Sequence, residues 1–135
     1  PRLADGTPFP TFYYATCPRL TGAISTLESS GLMAQMNERL QNDPILAGDY
    51  LAAHVDYEAA RSALAKQENL VVPEIEGVTA GGMPDRVKCL HSLVAHSLAA
   101  GEGVNPLGDE ALAALDNWWV SRPCNVISNL LDEVD

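Results

Sequence analysis

The pair Asp43-Pro44, opening a long stretch free of proline, constrains the fold of this chain more than any other feature. An aspartate at a helix N-cap accepts hydrogen bonds from first-turn amides. Proline at the first helical position loses nothing, because its missing N–H has no partner there. From Leu46 the stripe Leu46, Tyr50, Ala53, Tyr57, Ala60 and Leu64 steps by four and three, which keeps these side chains on one face of a helix. The spacing predicts one long helix from residue 44 with a single apolar side.

The flanking sequence adds shorter elements. Residues 11–16 run through β-favouring types after an Asp5-Gly6 turn, and Pro18 stops them, so a small strand is expected there. Ile24, Leu27 and the Leu32-Met33 pair mark a short helix interrupted by Gly31, and Met33, Met36 and Leu40 mark a second. Residues 68–82 carry Pro73, Gly77 and the Gly81-Gly82 pair and read as a connector, with a short strand over 70–72. A helix from Pro84 is expected next, then a turn through residues 101–110 and a helix over 110–121 that bears Trp118 and Trp119. One of these rings is expected in the core and the other at the surface. Pro123 ends that helix, and a short acidic helix closes the chain. The reading is mainly α (α+β): one domain over 1–135, a strand and turn segment at 1–18, and a body of about five helices from 19 to 135.

Composition limits the partners. Eight Lys and Arg against eighteen Asp and Glu leave a formal charge of -10, which opposes nucleic acid, since phosphates demand a basic surface. No apolar run approaches the roughly 18–20 residues that span a bilayer, and no signal-peptide pattern opens the chain. Cys17, Cys89 and Cys124 are odd in number and widely spaced. They are expected to form no intramolecular disulfide, which fits a reducing, cytoplasmic setting.

The chemically capable residues concentrate in AGGMPDRVKCLHSLVAH, residues 80–96. On a helix beginning at Pro84, Val87, Leu90, Val94 and Leu98 form an apolar face and His91 points away from Cys89. A Cys-x-His chelate is then poor geometry, and Cys89 and His96 stand about 10 Å apart. A metal, if any, would draw on Cys17, Cys89 and His54; the alternative is small buried thiols and hydrogen-bonded histidines. Cys89 lies too deep in such a helix for the dipole to activate it, so covalent catalysis is not expected. Gly81-Gly82 allow close backbone approach, and free amides beside Arg86 suit a phosphate or carboxylate; the alternative is plain helix capping. Asp85 shares that first turn, and Lys88 diverges from Arg86 by nearly half a helical turn. His54, Tyr57, Glu58 and Arg61 follow Tyr50 at spacings of three and four and offer a second wall; otherwise the tyrosines pack and His54 pairs with Glu58. Asn105 and Asp109 flank Pro106 and Gly108, with Asp109 the simpler N-cap of the next helix.

The blocks PRLADGTPFPTFYYATCPRL, YLAAHVDYEAAR and AGGMPDRVKCLHSLVAHSLAAGEGVNPLGDEAL resemble the actinobacterial domain of unknown function 501 family from residue 1 to about residue 115. The family pattern keeps the residues that appear here as Tyr50, His54, Tyr57 and Arg61. The resemblance implies a further N-terminal segment, often with cysteines, that this chain lacks. It implies no reaction and no cofactor, and its gene neighbours hint at envelope or division machinery.

Taken together, these features lead us to expect a small cytoplasmic domain with an anionic small-molecule site drawn from Gly81, Gly82, Arg86, Lys88, Cys89, His91, His54, Tyr57, Arg61 and Asn105. The alternatives are a noncatalytic interaction module, with a protein partner or a second copy of the chain, and a structural zinc domain. Convergence of Arg86, His54, Arg61 and Asn105 on one concavity separates the first from the others.

Overall fold

Five α-helices form among the described residues, 1–120 of the computed structural model: α1 (Pro18–Glu28), α2 (Leu32–Asn42), α3 (Pro44–Gln67), α4 (Leu90–Ala100) and α5 (Pro106–Ala113). A single 3-10 turn, Pro73–Ile75, lies between α3 and α4. The mainly helical reading holds. No helix among these residues is long and apolar enough to cross a membrane.

Helix α3 begins as its sequence dictates. Asp43 Oδ1 accepts from the amides of Ile45 at 3.0 Å and Leu46 at 3.1 Å, with Pro44 at the first position. Its inner face carries Tyr50, Ala53 and Tyr57, as the stripe requires, but then turns to His54 and Arg61. Leu64, the expected end of the stripe, is exposed. The core gathers Leu20 and Ile24 of α1, Met36 and Leu40 of α2, the α3 face, Leu90, Leu93 and Val94 of α4, and Leu107 and Ala111 of α5. Burying these side chains supplies the main favourable term, at about 1.5–3 kcal/mol for each large one.

The β element is not present. Among the described residues the only pairing is an isolated bridge between Arg2 and Pro8, and residues 11–16 run irregularly. Their β-favouring side chains serve another purpose: Phe12 and Tyr13 pack on α3, and the Tyr57 hydroxyl accepts from the Phe12 and Tyr13 amides at 2.6 and 3.2 Å. Residues 70–72 form no strand either and lead directly into the 3-10 turn.

Two helix boundaries also differ from expectation. Helix α4 starts at Leu90, six residues after Pro84, with an extended Cys89 (φ -152, ψ 118) as N-cap. Consequently Val87 is buried from a loop, and Leu98 is exposed. Helix α5 starts at Pro106 and ends at Ala113, because Asn105 rather than Asp109 caps it: Gly108 N donates to Asn105 Oδ1 at 2.9 Å. Asp109 Oδ2 instead accepts from Gly103 N at 2.8 Å, closing the preceding turn. Trp118 and Trp119 therefore lie beyond the helix, the first partly buried and the second exposed. The expected terminal helix, Pro123 and Cys124 lie outside the described residues. The expectation of three free thiols fails at Cys17, which is disulfide-bonded, while Cys89 is free. The thiol argument for a reducing compartment loses its ground with it.

Helices α4 and α5 meet at a glycine. A Cβ on Gly108 would collide with the Leu93 carbonyl and the Ser97 hydroxyl of α4, so only hydrogen allows this approach. Gly48 of α3 has open space around it and a helical backbone. Gly108→Ala should cost about 1–3 kcal/mol through overpacking, whereas Gly48→Ala should be neutral or add up to about 1 kcal/mol. Urea unfolding midpoints of the two variants check the pair.

Candidate functional site

The quoted block is a loop before it is a helix, and its own backbone explains both glycines. Gly81 (φ 69) and Gly82 (φ 96) adopt the left-handed region. The Gly81 carbonyl accepts from Lys88 N at 2.7 Å and Cys89 N at 3.4 Å, and the Gly82 carbonyl from Arg86 N at 3.0 Å. A Cβ on Gly82 would stand 2.7 Å from the Arg86 carbonyl oxygen, so the loop folds onto its own glycine. The approaching group is backbone.

Side chains from α2 and α3 complete this closure. Asn37 grips Val87 from both sides: its Nδ2 donates to Val87 O at 2.9 Å and its Oδ1 accepts from Val87 N at 2.8 Å. The Tyr50 hydroxyl donates to Arg86 O at 2.8 Å. Burial holds the Tyr50 phenol protonated far above its usual range, and the Asp85 charge adds to the effect.

The remaining expected site residues are also engaged with the fold. Arg61 is 3% exposed, and its guanidinium donates to Pro10 O at 2.6 Å and Ile75 O at 2.8 Å, tying the N-terminal segment to the 3-10 turn. Burial lowers its pKa, opposed by the charge of Glu58. His54 Nδ1 lies 2.8 Å from Thr79 Oγ1, and its Nε2 faces Glu58 at 3.6 Å. Glu58 Oε1 accepts from Gly77 N at 2.8 Å. Tyr57 is the acceptor for residues 12 and 13.

Asn105 belongs to a different cluster, centred on a histidine that sequence reasoning set aside. Because Gly108 N fixes the amide orientation, Asn105 Nδ2 donates to His96 Nδ1 at 3.2 Å, which makes His96 Nε2 the donor to Asp56 Oδ2 at 2.9 Å. The fully buried ring stacks on Tyr13 at 5.8 Å and 11°, with Tyr57 edge-on at 5.1 Å. Burial raises the Tyr13 pKa, and the Asp56 charge raises it further.

Thus Arg86, His54, Arg61 and Asn105 do not converge. Arg61, His54 and Asn105 face inward onto separate partners, and Arg86 and Lys88 face solvent on the loop. Around Val87 the chain alternates exposed, buried, exposed outside any helix, so Arg86 and Lys88 both reach solvent instead of diverging around a helix. Neither makes an ion pair among the described residues.

The trio Cys17, Cys89 and His54 does not assemble. The donors that come together are Glu28, Cys89 and His91, all within 4.8 Å of one another. Cys89 Sγ lies 3.8 Å from His91 Nδ1, a meeting the continuous-helix expectation denied and the extended N-cap allows. Glu28 reaches in from α1, and no local sequence signal marks it. Asn37, Asp56, Thr79 and His96 were likewise not expected, since each acts on a residue distant in the chain.

A family model described as "Protein of unknown function (DUF501)" matches residues 1–113. No curated protein matches the chain, and no solved structure does.

Asn37→Ala leaves Val87 N and O without partners and should cost about 1–3 kcal/mol. Arg61→Lys, which cannot fork to two carbonyls, should cost a similar amount. Thermal unfolding of both variants, with hydrogen exchange at Val87, measures the effect.

Proposed function

Since the chain belongs to the DUF501 family, whose description names no activity, its function must be read from its own residues, and we propose that it binds a small anion of the phosphate or carboxylate type at Arg86 and Lys88. The expected concavity is not formed, so the reading narrows to an exposed surface site, and one observation carries it: Arg86 and Lys88, exposed and without an ion pair among the described residues, lie two positions apart on a segment held by Asn37 and Tyr50, in a chain whose formal charge is -10. The other well-placed arginines are neutralised, Arg2 by Glu74 at 2.9 Å and Arg39 by Glu110 at 2.7 Å. An unpaired pair of cations favours an anion by Coulomb attraction, and a rigid segment loses little entropy in holding it. Gly81 and Gly82 contribute by shaping the loop. His54, Tyr57, Arg61 and Asn105 contribute to the fold and not to the anion. Nothing in this reading requires catalysis.

A second reading, a noncatalytic interaction module, draws on the apolar groove formed by Leu98, Leu112, Ala113, Trp118 and Trp119 at the end of α5. Variants distinguish the two.

The test is a thermal-shift screen of inorganic phosphate, nucleotides and short polyphosphates at low salt. A ligand at a hundred times its Kd adds about 2.7 kcal/mol to stability, enough to raise the Tm by several degrees. Arg86→Ala and Lys88→Ala should keep the wild-type Tm without ligand and lose that rise, and Trp119→Ser should retain it. If no anion stabilises the wild type, or if Arg86→Ala itself unfolds the protein, the reading fails.

A further inference from the structure

The carboxylate of Glu28, the thiol of Cys89 and the imidazole of His91 meet where the C-terminal end of α1 faces the start of α4. His91 Nδ1 stands 3.1 Å from Glu28 Oε1 and 3.8 Å from Cys89 Sγ. A single ring N–H can serve only one of these two neighbours. A cation between the three donors serves all of them. At zinc–ligand lengths of about 2.0–2.3 Å, donors on a tetrahedron stand about 3.3–3.7 Å apart. The two separations bracket that range.

The surroundings orient each donor. His91 Nε2 lies 3.1 Å from the Thr21 carbonyl and 3.3 Å from Ser25 Oγ. A proton on Nε2, donated to that carbonyl, leaves the Nδ1 lone pair directed at the thiol and carboxylate. Histidines that ligate metals are held this way, by a hydrogen bond from the other ring nitrogen. Glu28 Oε1 accepts from Leu90 N at 2.7 Å, which fixes the carboxylate, while Oε2 carries no hydrogen bond among the described residues. Cys89, as N-cap, makes no side-chain cap bond. Coordination takes the thiol as its thiolate and releases the proton to solvent.

We propose that Glu28, Cys89 and His91 form a binding site for a divalent transition ion of the zinc class. The mixed nitrogen, sulfur and oxygen set suits zinc and its spectroscopic substitute cobalt, and disfavours magnesium and calcium, which take oxygen alone. Three protein ligands leave the fourth position of a tetrahedron open. The side chains of His91 and Glu28 are 31% and 24% exposed, so the trio is within reach of solvent. The site does not depend on the anion reading, since none of its donors is Arg86 or Lys88.

The full chain, stripped with a chelator, is titrated with Co2+ and with Zn2+. One cobalt per chain should bind and give a thiolate-to-cobalt charge-transfer band. Cys89→Ser should abolish the band, and His91→Ala and Glu28→Gln should each weaken binding on the order of tenfold or more. Serine is also a favoured N-cap, so circular dichroism should show Cys89→Ser folded. As a measurement free of substitutions, Zn2+ should protect Cys89 of the wild type from alkylation, read by peptide mass. The proposal is overturned by a missing band, by a band that survives Cys89→Ser, by His91→Ala binding cobalt as tightly as wild type, or by alkylation of Cys89 at an unchanged rate in zinc.

Discussion

The two hydrogen bonds between the Asn37 amide and the Val87 backbone hold the segment that carries Arg86, Lys88 and Cys89. An irregular segment has no ladder of its own, and every buried N–H and C=O it carries must find a partner. Residues 79–89 meet that demand by folding onto Gly81 and Gly82 and by borrowing side chains from neighbouring helices: Asn37 from α2 and Tyr50 from α3. The amide of Asn37 acts as a portable piece of β-ladder. With Val87 held, Arg86 and Lys88 must face outward, and Cys89 enters α4 in an extended conformation. That conformation lets its thiol reach His91.

The same economy governs the rest of the core. Arg61 substitutes a forked guanidinium for secondary structure, joining residues 10 and 75, and Tyr57 does likewise for residues 12 and 13. The chain's polar blocks look from sequence like a ligand pocket because they are rich in donors and acceptors. In the fold the buried ones find their partners within the chain itself, backbone for Arg61 and Tyr57 and side chains for His54 and Asn105, as buried polar groups require.

Helix α3 was legible because its signals are local: the cap, the proline and the stripe all lie within a few residues of one another. The start of α4 was not. Pro84-Asp85 imitates a helix start, yet the feature that caps the helix is Glu28, 62 residues from Leu90 in the chain. A similar distance hid the metal-type trio, since Cys89 and His91 diverge on a helix and converge only when Cys89 precedes it. Asn105 competed with Asp109 for one role, and the proline following Asn105 is the local cue that favours it. Residues 11–16 have the composition of a strand but no partner strand among the described residues, and composition alone could not reveal that their hydrogen-bond acceptor would be a phenol.

Both tryptophans of the chain sit together just past α5, their rings 5.5 Å apart and nearly perpendicular. Trp118 Nε1 is buried without a hydrogen-bond partner among the described residues, and Trp119 is open to solvent. Intrinsic fluorescence of this protein is therefore emission from one corner. It would follow a local opening at the end of α5, where the buried indole N–H gains water on release, while changes around Asn37 and Val87 pass with little signal. An unfolding curve recorded by fluorescence and one recorded by far-ultraviolet dichroism need not coincide, and a gap between them would measure how independently that corner moves.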